Sequence, residues 1–115
     1  VVICNHVLEH VEDSHKVMKE FYRVMRPGGW GIFQVPIDVN SKITKEDKSV
    51  VDPKEREQLY WQKDHLRLFG LDYGDKLRSA GFNVTESEFI KTLDSDLIFR
   101  YALQKDEVIY FCEKS

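Results

Sequence analysis

The sequence predicts an α/β sheet whose first strands run parallel and whose last strand returns antiparallel. Three observations carry this. Two short apolar runs, Val1 to Cys4 and Trp30 to Val35, are separated by one amphipathic helix and a glycine turn, the β-α-β order of a parallel pair. A second helix-then-strand alternation occupies residues 71–90. A closing run, Glu107 to Glu113, reads as the last strand, in an antiparallel final hairpin.

The elements follow in order. Residues 1–4 are consecutive, apolar and mostly β-branched, the pattern of a strand buried in a parallel sheet. The run stops at polar Asn5-His6. Asp13 or Ser14 suits the N-cap of the next helix, because its side-chain oxygen accepts from a free first-turn N–H. Val17, Phe21, Val24 and Met25 recur at helical spacing, with Met18 beside them. Lys16 and Glu20 form a favourable i, i+4 pair. Arg23 and Arg26 place positive charge at the negative end of the helix dipole. Pro27 stops the helix, and Gly28-Gly29 supplies backbone freedom for a sharp return. Trp30 to Val35 is the next strand, and Pro36 ends it.

Residues 38–62 interrupt the alternation. Asp38 to Asp52 is polar, with Lys42, Lys45 and Lys48 set among acids. It reads as a long loop or mobile lid, and loops of this length are usually functional or disordered. Pro53 to Trp61 opens as a short helix, with Asp52 as cap and Pro53 at the first position. Asp64 to Phe69 reads as an extended or turn segment, punctuated by Gly70. Leu71 to Ala80 forms a helix closed by Gly81. Phe82 to Ile90 is a strand, and Leu93 to Leu103 a connector with a helical turn or two. At 115 residues the chain is one domain or part of one.

Composition narrows the function. Hydrophobic residues make up 42% and charged residues 32%, the balance of an ordinary globular chain. The net charge of -3 leaves no electrostatic footprint for nucleic acid. Lysines and arginines are scattered among acids, so an anionic membrane surface is not a partner either. No apolar stretch approaches the ~20 residues of a membrane span, and no signal peptide is visible. Cys4 and Cys112 sit in apolar runs as small core residues of a reducing compartment. The expected location is the cytoplasm.

The sharpest signal is residues 5–36, NHVLEHVEDSHKVMKEFYRVMRPGGWGIFQVP. Its words are VLEHV after one strand and E-x-x-R-V-x-x-P-G-G before the next. It resembles the second half of a class I S-adenosylmethionine (SAM)-dependent methyltransferase, of the broad branch that acts on small molecules. The later stretch WQKDHLRLFGLDYGDKLRSAGF is similar to a recurrent family segment with a D-H-x-R-x-[FY] element before a helix.

The resemblance implies a partial Rossmann-like sheet, the back half of the family domain. It implies transfer of a methyl group from SAM to a metabolite, sugar or lipid-like acceptor. The family's G-x-G-x-G cofactor turn, and the acid that holds the ribose hydroxyls, match nothing in these residues. The SAM pocket is therefore expected to be incomplete, the isolated chain inactive, and the chain a truncated segment starting inside a strand. The alternative is a non-catalytic binding or assembly module. The edge at residues 1–4 would lie open and drive self-association. Cys4 and Cys112 would occupy strands that are not neighbours. A disulfide needs Cα atoms within about 7 Å, so none is expected.

The resemblance also assigns the site. Asn5, His6 and Val7 would flank the methionine part of SAM, with Leu8, Glu9 and His10 just beyond. Leu8 and Val11 are expected in the core. Methyl transfer is a direct displacement with an excellent leaving group, so the enzyme mainly aligns the reactants. An oxygen or nitrogen acceptor also sheds a proton, which histidine accepts near neutral pH. His65 is the first candidate for that base, with His6 or His10 second. Glu9 and His10 are either catalytic or a structural hydrogen-bonding pair. Tyr60, Trp61, Phe69 and Tyr73 either wall a pocket or fill the core, and core is favoured for the last two.

Small-RNA terminal ribose methyltransferases of the same fold hold a metal on E-x-x-E-H plus a later histidine. This chain has His6-x-x-Glu9-His10 and His65. A hard divalent ion prefers more oxygen ligands than this set offers, so the expectation is no metal.

Overall fold

The computed structural model describes all residues from 1 to 115. Its elements are β1 (Val2–Asn5), α1 (Ser14–Val24), β2 (Trp30–Gln34), α2 (Pro53–Tyr60), α3 (Tyr73–Ser79), β3 (Asn83–Ser87), α4 (Ser95–Arg100) and β4 (Ile109–Glu113), with a 3₁₀ turn at Phe89–Thr92. They build one four-stranded sheet in the order β1-β2-β4-β3. β1 runs parallel to β2, and β4 runs antiparallel to both β2 and β3. The predicted α/β class and the antiparallel last strand are both present.

α1 begins where its cap predicts: the Asp13 carboxylate accepts from the Lys16 N–H at 3.0 Å. Its buried stripe differs slightly from the expected one. Met18 and Met25 are buried, Phe21 and Tyr22 half-buried, and Val24 is exposed. Positions 18, 21, 22 and 25 share one face at helical spacing, which leaves Val24 at its margin. Gly28 then turns with φ of 81°, a conformation that suits glycine. Its N–H donates to the Lys114 carbonyl at 2.7 Å, stitching the turn to the end of β4.

Two boundaries moved, each because a side chain took a different partner. α3 starts at Tyr73, not Leu71. The Asp72 carboxylate makes no cap bond; it accepts instead from the Thr44 hydroxyl at 2.7 Å. β3 stops at Ser87, whose hydroxyl accepts from the Phe89 N–H and turns the chain into the 3₁₀ segment, so Ile90 leaves the strand. The connector holds a capped helix, with the Asp94 carboxylate accepting from the Leu97 N–H.

The core lies between the sheet and helices α1 and α3. Phe33, Phe69, Tyr73, Leu77 and Cys112 are fully buried. Phe33 packs on Phe21 and Phe82, and Tyr73 on Phe69 and Tyr110. The Tyr73 hydroxyl donates to the Phe33 carbonyl at 3.0 Å, and burial pushes its acidity well below that of a free phenol. Leu8 is in this core, as expected. Cys4 and Cys112 are buried free thiols on strands separated by β2. Burial pushes the Cys112 thiol from 9.0 to about 12 and also raises that of Cys4, so both stay protonated near neutral pH.

The 38–52 segment is anchored rather than free. Lys45 and Leu68 exchange two backbone hydrogen bonds at 2.8 and 2.9 Å. Asp38 donates to the Phe69 carbonyl and Leu71 to the Ser41 carbonyl. β1 is an edge strand, paired only with β2. Val1 and Ile3 on it are 77% and 70% exposed. No helix is long and apolar enough to cross a membrane.

Candidate functional site

In open α/β sheets ligands gather beyond the carboxyl ends of the strands. Here the ends of β1 and β2 lie side by side, with Asn5 opposite Gln34. The pairing runs one residue further, since the His6 N–H donates to the Gln34 carbonyl at 2.9 Å. His6 then takes a left-handed φ of 56°, which turns the chain away from the sheet. A cleft of about 670 Å³ opens at this end, lined in part by Asn5, His6, Val35, Pro36, Trp61 and Glu107. That volume is within the range of small-molecule sites.

Asn5 and His6 thus line the cleft. Val7 does not line it and is 43% exposed. Trp61 does; Tyr60 is buried, and its hydroxyl accepts from the Asp47 N–H. Phe69 and Tyr73 are core.

Glu9, His10 and His65 converge behind the cleft. Glu9 and His65 are each 2% exposed. His10 Nε2 lies 3.6 Å from Glu9 Oε1, and His6 Nδ1 lies 3.8 Å from the same oxygen. These separations exceed a hydrogen bond, and neither carboxylate oxygen of Glu9 has a partner. The His10 and His65 rings meet edge to face with centroids 4.6 Å apart. Each histidine is held from outside the cluster. His65 Nδ1 is 2.9 Å from the Tyr60 carbonyl, and His10 Nδ1 is 3.2 Å from the Asp64 carbonyl.

Arg67 is the residue that sequence reasoning passed over. It is 2% exposed. Its guanidinium donates to the Leu8 carbonyl at 2.6 Å, to the Glu12 carbonyl at 2.9 Å and to the Glu46 carboxylate. The five-donor fork reaches three acceptors at once. It ties the loop after β1 to the anchored 38–52 segment. The arginine of D-H-x-R-x-[FY] was in plain sight; only the histidine of that element drew a role. A second hollow of about 390 Å³ lies on this side, lined by charged residues including His10, Glu12, Glu46, Arg56 and Arg67. Neither Asn5 nor His6 borders it.

Comparison with solved structures finds a candidate methyltransferase from Bacillus halodurans C-125, at 17% identity and a TM-score of 0.50. The match covers 96% of this chain and 59% of that one, so this chain spans little more than half of that protein's length. At such identity the likeness speaks for the fold. No curated protein matches the sequence. Residues 1–87 match the family model described as a methyltransferase domain. That stretch contains β1, the parallel pair, the cleft-lining Asn5 and His6, and the Glu9–His10–His65 cluster. With most of its length inside that model, and with this strand order, the chain belongs to the methyltransferase domain family and has a partial Rossmann-like fold of the class I type.

Proposed function

We propose that the chain is the acceptor-side part of a SAM-dependent methyltransferase acting on a small molecule in the reducing cytoplasm. The observation that carries this is the cleft at the carboxyl ends of β1 and β2, bordered by Asn5 and His6. Apolar Val35, Pro36, Ile37, Val39 and Trp61 give it the lining of a small-molecule pocket.

In the reaction a lone pair on the acceptor attacks the methyl carbon in line with the breaking sulfur–carbon bond. S-Adenosylhomocysteine leaves, and the acceptor's proton passes to a base. On sequence grounds His65 comes first for that role. It is buried with its ring against the Tyr60 carbonyl and is not among the residues that border the cleft. His6 borders the cleft with a side chain 53% exposed, and we assign the proton to it. Glu9 and His10 support the loop from behind. Asn5 contributes a polar edge facing the donor.

A titration and a rate measurement test this reading. S-Adenosylhomocysteine added to this chain alone should show no calorimetric binding in the micromolar range, because the glycine-rich cofactor turn is not among its residues. Micromolar affinity would mean that the pocket is complete, or that an oligomer rebuilds it. In a longer protein that completes the pocket, His6→Ala should lower kcat about 100-fold while KM for the methyl donor stays within about threefold, the usual signature of a lost general base. An unchanged kcat would remove His6 from the chemistry. Absence of methyl transfer by such a protein would favour the alternative, a binding or assembly module.

A further inference from the structure

The cleft does not end at its apolar wall. α4 closes with Ala102 at a left-handed φ of 51°, and the Leu103 N–H donates back to the Ile98 carbonyl at 2.9 Å. This return lays the chain beside its own helix. A hollow of about 580 Å³ opens there, lined by Leu93, Ile98, Phe99 and Leu103, with Lys91 and Lys105 among them. Ala102, Leu103 and Lys105 also line the cleft, so the two spaces share a wall.

Two of these side chains lack partners. Phe99 is 90% exposed. The Lys105 ammonium has no acidic group within ion-pair distance, whereas Lys91 is held by Glu88 at 3.3 Å. An exposed apolar patch rimmed by charge is the character of a binding surface. A lysine stem lies along such a patch and keeps its charged head at the edge. Lys105 thus offers a free cation where hollow and cleft meet. Asp106 and Glu107 follow it on the cleft wall and oppose a second negative group there.

We propose that the hollow beside α4 is the tail subsite of the cleft, and that the acceptor is a free amphiphile with one apolar chain and one anionic group. The chain lies along Leu93, Ile98 and Phe99, and the anionic group meets Lys105. A sugar has no chain to cover Phe99, and a cationic amphiphile meets Lys105 with the wrong sign. The head of the acceptor then faces the cleft, which Asn5 and His6 border. The subsite rests on the methyltransferase reading for its reaction, but binding needs no methyl donor.

The experiment titrates this chain calorimetrically with decanoate, decyl glucoside and decyltrimethylammonium, each below its micelle concentration. One decanoate per chain should bind, about tenfold tighter than either of the others. Lys105→Glu should weaken decanoate at least about tenfold and turn the preference toward decyltrimethylammonium. Phe99→Ser should weaken all three about fivefold, with the melting temperature unchanged because the ring is exposed. Lys19→Glu, on the exposed side of α1, should change nothing. Equal affinity for the three probes, no stoichiometric binding, or binding that survives both substitutions would overturn the subsite. So would attachment to phosphatidylglycerol vesicles without uptake of free decanoate, which would make α4 a membrane contact. Subsite and reaction fail separately. Decanoate binding with no methyl transfer by a longer protein that completes the pocket would overturn the reaction alone. Methyl transfer by that protein with no decanoate binding would overturn the subsite alone.

Discussion

Arg67→Ala is expected to lower the unfolding free energy by about 2–3 kcal/mol, the scale of leaving a buried acceptor without its charged donor. Most of the loss comes from the acceptor left behind. The buried Leu8 carbonyl would lose its charged donor, which costs about 1–3 kcal/mol; the carbonyl of exposed Glu12 loses one too but can turn to water. Glu46 is 34% exposed on its side chain and would turn to water, so it adds less. Arg67→Lys should recover only part of the stability, because an ammonium on a flexible stem cannot span three acceptors as the fork does. Urea melting of the three proteins measures this directly. A loss under about 1 kcal/mol for Arg67→Ala would show that the fork is dispensable and that backbone bonds alone hold the loop.

Phe33→Ala should destabilise by about 3–5 kcal/mol. Phe33 is fully buried on β2, stacks on Phe21 at 5.1 Å and meets Phe82 edge to face at 5.3 Å. Its removal opens a void where α1 meets the sheet. The three elements around it are fixed by other contacts, so the gap cannot close by collapse. Phe33→Leu keeps most of the volume and should lose less than half as much. At this chain length a loss of that size lowers the melting temperature by 10 °C or more. Equal melting temperatures for Phe33→Ala and the native chain would mean that the core reorganises around the cavity.

Much of the fold is legible because its determinants are local. The Asp13 cap, the Pro27-Gly28-Gly29 stop and the apolar run at β2 each specify one element from a few adjacent residues. Boundaries failed where a distant side chain intervened. Asp72 would cap α3 but is taken by Thr44, 28 residues away, and no helical periodicity reports that. The site was legible in its residue types but not in its grouping. VLEHV and D-H-x-R mark Glu9, His10, His65 and Arg67 as chemistry-bearing. Only the fold shows that His6 faces the cleft while Glu9 and His65 are sealed behind it. A buried arginine holding two carbonyls has no local signature, because its partners lie 59 and 55 residues back along the chain.

The sheet has a second face. Ile3, Ile32 and Phe111 stand in register across β1, β2 and β4, on the side opposite Cys4 and Phe33. Ile3 is 70% exposed, and Ile32 and Phe111 are only half-buried. A parallel pair such as β1–β2 is usually covered on both faces. Whatever covers this one, a further stretch of protein or a second copy, adds its binding free energy to folding. Where a second copy of the chain covers it, the chain's stability is linked to its concentration. Its unfolding midpoint should rise with chain concentration, and a midpoint that stays constant over a hundredfold dilution would show that the half-wet face stands on its own.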